Sequence, residues 1–104
     1  SVSSMPGDEC SVDIMMLAQD QTGQNYKNVL VLVDTNTNYV FARPLKGKSS
    51  QEVIRNLMEI LWENSYIPRR MNGDKGKEFV NKDMQKALSE YGIDYHEIGP
   101  DYKN

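Results

Sequence analysis

The chain has 104 residues, 38% of them hydrophobic and 26% charged, which suits one folded domain with a single core and excludes a disordered tract. No apolar run nears the roughly 18 residues of a membrane span, no signal-peptide pattern is present, and the one cysteine, Cys10, excludes an internal disulfide and a Cys-rich zinc site. The net charge of −3 argues against a general polyanion binder, yet ten of the twelve basic residues fall between Arg43 and Lys86, where they outnumber six acids.

Residues 1–10, with their Ser, Gly and Pro, predict a loose lead-in to a domain over 11–104. "SVDIMMLA" (11–18) reads as a first strand that carries one carboxylate, Asp13, in an otherwise apolar run. "DQTGQN" (20–25) is a turn cluster, and "NVLVLVD" (28–34) has the unbroken apolar pattern of a strand covered on both faces. "DTNTN" turns the chain into a third strand, "YVFARPL" (39–45), and the short connections predict an antiparallel meander.

Ser49 and Glu52 have capping-box spacing ahead of a helix whose Val53, Ile54, Leu57, Ile60 and Leu61 form one apolar stripe. Trp62 lies off that stripe, as a subunit contact or a second layer of core. "RRMNGD" then reads as a short strand ending in a turn at Gly73. Asn81 caps a second helix that Gly92 terminates, and "IDYHEIG" (93–99) supplies a last strand, with His96 a strand residue. The order β-β-β-α-β-α-β predicts an α/β fold of the RNase H-like arrangement: a mixed five-stranded sheet, three meander strands then parallel ones, flanked by helices. In that arrangement strands one and four are neighbours, which would bring Asp13 and Asp74 together.

Three segments then resemble the catalytic core of retroviral and retrotransposon integrases, in the DDE transposase superfamily. "VDIM" is similar to the family's first-strand Asp segment, and "YKNVLVLVDTNTNYVFARPLKGKS" to its second and third strands. "GDKGKEFVNKDMQKALSEYGIDY" resembles the stretch around the second aspartate. The departures are Cys10 for a tryptophan, Thr37-Asn38-Tyr39 for Ser-Arg-Tyr, and Lys75 for an asparagine. Glu78 and Phe79 match residues read as structural, Glu78 at a helix start and Phe79 as a core plug.

The resemblance implies DNA 3′-end processing and strand transfer by two Mg²⁺ or Mn²⁺ ions about 4 Å apart. Asp13 would bridge both metals and Asp74 would hold the first. The family's third carboxylate, a glutamate on a later helix, would fall beyond Asn104; Glu97 and Asp101 do not match it, so the domain is expected to be cut before that helix. Arg69, Arg70, Lys75, Lys77 and Lys82 are the expected DNA contacts, with further copies of the chain as partners and no membrane. The expected location is intracellular, nuclear or cytoplasmic, including virus-like particles. Two other readings compete: a catalytically inactive, domesticated module for DNA binding or oligomerisation, and an RNase H-type nuclease using Glu59 or Glu63.

Overall fold

The computed structural model describes residues 6–19 and 22–99. Residues 1–5 of the expected lead-in, part of the 20–25 turn cluster, and Asp101 with the rest of the C-terminal segment lie outside the described residues.

The seven elements follow the expected order: β1 (Glu9–Met16), β2 (Asn28–Asp34), β3 (Val40–Leu45), α1 (Ser50–Glu63), β4 (Arg70–Gly73), α2 (Lys82–Glu90) and β5 (Asp94–Glu97). They form one mixed sheet in the order β3-β2-β1-β4-β5. β1–β2 and β2–β3 are antiparallel, while β4 runs parallel to both β1 and β5. This is the RNase H-like α/β arrangement. β1 begins at Glu9, so the end of the expected lead-in is already sheet. Gly7 and Asp8 are tied down as well: Gly7 N–H donates to Asp34 (2.7 Å), and the Asp8 carbonyl accepts from Arg69 and Arg70.

Registers decide which side chains meet. Cys10 pairs with Met71 across β1–β4, and Val12 with Leu32 across β1–β2, so these four lie on one sheet face. That face carries the core, in which Leu30 and Leu32 share one cluster with Val53, Leu57, Ile60 and Leu61 of α1 and Met84 and Leu88 of α2. Each such fully buried aliphatic contributes about 1.5–3 kcal/mol. Phe79 is buried among them, the plug its motif implied. On the opposite face Val29, Val31 and Val33 are half-buried. The apolar run of β2 therefore does not mean cover on both faces: among the described residues, both helices pack on one side.

The helix ends match the capping chemistry with one change. Ser49 accepts from Glu52 N–H, and Asn81 from Met84 N–H. The Glu52 carboxylate does not complete a capping box; it turns back to accept from the N–H groups of Lys46 (2.6 Å) and Gly47 (2.9 Å). Gly92, at φ +72°, ends α2 in the left-handed region that a side chain would disfavour. Trp62 is 75% exposed, which removes core packing as its role. Glu59 and Glu63 both pair with Arg43 on the helix surface, so neither stands free as a nuclease acid.

Candidate functional site

Every strand of the sheet ends at one of two rims. One rim gathers the C-terminal ends of β1, β3, β4 and β5 with the start of β2; the other gathers the opposite ends. Ligand sites in sheets with parallel strands form outside the strands' C-terminal ends. Asp74 directly follows the C-terminal end of β4 at the first of these rims, and Asp13, inside β1 and paired with Val31 of β2, stands beside it where β4 has already ended.

Ser11 pairs with Asn72, so the end of β4 at Gly73 stands level with Val12, and the next residues along are Asp13 and Asp74. Both carboxylates line one open pocket of about 360 Å³, with Ser11, Asn72, Gly73 and Ile98. Each has one oxygen committed: Asp13 Oδ1 accepts from Ile14 N–H and Asp74 Oδ1 from Gly76 N–H, both at 2.8 Å. The glycine-flanked segment around Asp74 is thus an Asx turn, while the helix that follows takes its cap from Asn81.

Two residues not singled out as functional from the sequence hold Asp74 in place. Tyr95 on β5 donates its hydroxyl to the Asp74 carbonyl (2.8 Å). A side chain on Gly73 would put a Cβ 2.2 Å from that hydroxyl and 2.9 Å from Val12 Cγ1. Gly73 is therefore glycine for space, not for a left-handed turn; the described glycines with positive φ are Gly7, Gly23 and Gly92. Burial pushes the Tyr95 hydroxyl above its ordinary value, and the charges of Asp74, Glu97, Glu78 and Asp13 raise it further. The only sequence signal for this pair was the glycine next to an aspartate.

The expected Mg²⁺ or Mn²⁺ centre has to be corrected. Among the described residues no group of three or more His, Cys, Asp or Glu could hold a metal ion. The four acids felt by Tyr95 act through space, whereas a metal needs oxygens at about 2.0–2.6 Å. Asp13 and Asp74 line one pocket, and the described residues supply no fit for the ion.

The expected DNA contacts divide between the rims. Lys75 and Lys77 flank Gly76 in the Asp74 turn, and Lys82 opens α2 beyond it. Arg69 and Arg70 lie at the other end of β4, in a pocket with Asp8, Glu9 and Asp94. Arg69 is paired there with Asp8 at 3.2 Å. Glu78 is not at a helix start, since α2 begins at Lys82; its carboxylate reaches Lys48 Nζ at 3.8 Å.

The fold, with one acid inside β1 and another just after β4, is that of an α/β domain of the RNase H-like superfamily. A family model described as "Integrase core domain" matches residues 3–101, and the chain belongs to that family. It is 32% identical over 90 residues to the Gag-Pol polyprotein of avian reticuloendotheliosis virus, covering 86% of this chain and 8% of that polyprotein. It is also 32% identical over 74 residues to the Pol polyprotein of ovine maedi visna related virus, covering 71% of this chain and 7% of that one. The chain thus spans less than a tenth of either relative. Among solved structures, the simian T-cell lymphotropic virus intasome in complex with PP2A regulatory subunit B56 gamma matches with a TM-score of 0.79 at 24% identity. That match covers 92% of this chain and 33% of the other, and shows the shared fold.

Proposed function

We propose that this domain is a DNA-handling and assembly module of the integrase type, which does not by itself complete a metal-dependent phosphodiester-cleaving centre. One observation carries the reading: Asp13 and Asp74 share one open pocket, and no third ligand joins them among the described residues. Two carboxylates without a bound cation repel a DNA phosphate. Lys75 and Lys77, in the same turn as Asp74, offset that repulsion and draw the backbone in without reading bases. Membership of the integrase core family supports DNA as the partner. The likeness to a chain of an intasome supports assembly with further subunits.

The test is fluorescence anisotropy of labelled duplexes of unrelated sequence with the 104-residue chain, alongside a cleavage assay of the same duplexes in Mg²⁺ and in Mn²⁺. The expected result is salt-dependent binding of similar strength for all duplexes and no cleavage. Cleavage that Asp74→Asn abolishes would overturn the reading in favour of a complete transferase or nuclease.

A further inference from the structure

Beyond Asp13, β1 runs on to Met16, level with the start of β2 and the end of β3, and that end of the sheet gathers three more lysines. We infer that Lys27, Lys46 and Lys48 form a second phosphate track, on which the backbone of a DNA duplex lies as it leaves the Asp74 turn. This rests on the DNA-handling reading above and extends it to a surface no motif marks.

Four observations carry it. The surface is concave: Leu17, Gly23, Tyr26, Lys27, Asn28 and Lys48 line a pocket of about 640 Å³, and no carboxylate lines it among the described residues. It is held rigid from beneath. Lys27 N–H donates to the Leu45 carbonyl, the Lys27 carbonyl accepts from Leu17 N–H, and the buried Asn28 amide donates to the Gly47 carbonyl. Glu52 takes the N–H groups of Lys46 and Gly47, so the nearby acid on α1 is occupied with backbone. The three lysine side chains are meanwhile exposed.

The side chains themselves are also arranged. Lys46 Nζ lies 5.7 Å from the centre of the Tyr26 ring, a cation–π contact that steers the ammonium while leaving it fully charged. Lys48 Nζ is 3.8 Å from Glu78, a long and half-exposed pair that contributes little and that a phosphate can displace. Glu78 in turn packs against Gly76, where its Oε1 and Asp74 Oδ1 crowd the same point. Lys48 therefore joins the hairpin lysines to the turn that carries Asp74, Lys75 and Lys77. Like charges gathered at one end of the sheet repel one another, and a polyanion relieves that repulsion; pre-organisation lowers the ordering cost of binding it.

The experiment measures anisotropy of a random-sequence duplex across a salt series. It compares the unaltered 104-residue chain, Lys46→Gln/Lys48→Gln, Lys27→Gln, the charge-keeping Lys46→Arg/Lys48→Arg, and Lys86→Gln on the outer face of α2 as control. Circular dichroism melting checks that each variant keeps its fold, as exposed lysines should. The double glutamine variant is expected to bind about tenfold more weakly at low salt, with a log–log salt slope shallower by about 1.8. Lys27→Gln should shift the slope by about half as much, while the arginine pair and Lys86→Gln leave it unchanged. Binding by the unaltered chain that both glutamine variants match would overturn the track and leave the DNA-handling reading standing. A failure of the unaltered chain to bind any duplex would overturn that reading, and the track with it.

Discussion

Asp34 carries more of the fold's polar connections than any residue of the candidate site. Its carboxylate is 2% exposed and accepts from Gly7 N–H, Asn36 N–H, Thr37 N–H and hydroxyl, and the Tyr66 hydroxyl. One side chain thereby ties the segment before β1, the β2–β3 turn and the loop after α1. Burial alone would raise its carboxyl, but the hydrogen bonds from Tyr66, Gly7, Thr37 and Asn36 together outweigh it and hold the group at about 2, against an ordinary 3.8. The same charge adds to burial in pushing the neighbouring Cys10 thiol up to about 12, so that thiol stays protonated at neutral pH. A carboxylate depressed in the folded state stabilises it fully above the ordinary value, and that contribution is lost as pH falls from about 4 towards 2. Asp34→Asn should therefore cost about 2–3 kcal/mol at pH 7, by urea unfolding, with the gap to the parent closing near pH 2. A gap that stays constant from pH 7 to pH 2 would show that the charge of Asp34 is not what holds these segments. The turn was legible in "DTNTN"; the reach to Gly7 and Tyr66 was not, because contacts 27 and 32 residues apart leave no local pattern.

Among the elements, those with strong local rules were the readable ones. α1 and α2 announced themselves by apolar spacing and by Ser49, Asn81 and Gly92, each of which satisfies a helix end in the structure. β1 was read two residues late, over 11–18 where the strand runs Glu9–Met16, since Glu9 and Cys10 join the sheet through pairing with β4, and Cys10 with Asp34 of β2, rather than through any apolar alternation of their own. β4 has four residues, too few for periodicity, and its position depends on β1 and β5 on either side. The consequence falls on Gly73, which the sequence suggests is a turn glycine and which the structure uses as a gap beneath Tyr95. Gly73→Ala should force Tyr95 off the Asp74 carbonyl and destabilise by about 2–3 kcal/mol through overpacking. Tyr95→Phe alone loses one hydrogen bond, about 1 kcal/mol. Because the tightest clash is with the Tyr95 hydroxyl, the double variant should be less destabilised than the sum of the two, a coupling that a thermodynamic cycle measures directly. Strict additivity would mean that the Val12 contact at 2.9 Å, and not Tyr95, sets the requirement for glycine.

At the scale of the whole molecule, charge is sorted by rim, and sequence proximity misleads about it. Arg69, Arg70, Lys75 and Lys77 lie within nine residues and read as one basic cluster around Asp74. A four-residue strand separates them by roughly 13 Å along the sheet, at about 3.3 Å per residue, and leaves the arginines beside Asp8, Glu9 and Asp94. The pairing of Asp13 with Asp74 was legible because topology alone brings strands one and four together. The metal was not, because a resemblance supplies a ligand set residue by residue and the described residues offer only part of it. The two rims therefore differ in what neutralisation should do to DNA binding. Lys75→Ala/Lys77→Ala removes two cations that have no ion-pair partner among the described residues, in the turn that carries Asp74, and should reduce the log–log salt slope by about 1.8 for every duplex tested. Arg69→Ala/Arg70→Ala removes as much formal charge, but from a rim where Arg69 already neutralises Asp8 and two more acids line the pocket. Its slope should stay within about 0.5 of the parent, with a small loss of stability of about 1 kcal/mol or less from the broken surface pair. Equal slopes for the two double variants would mean that DNA responds to net charge alone, and that no rim is its binding face.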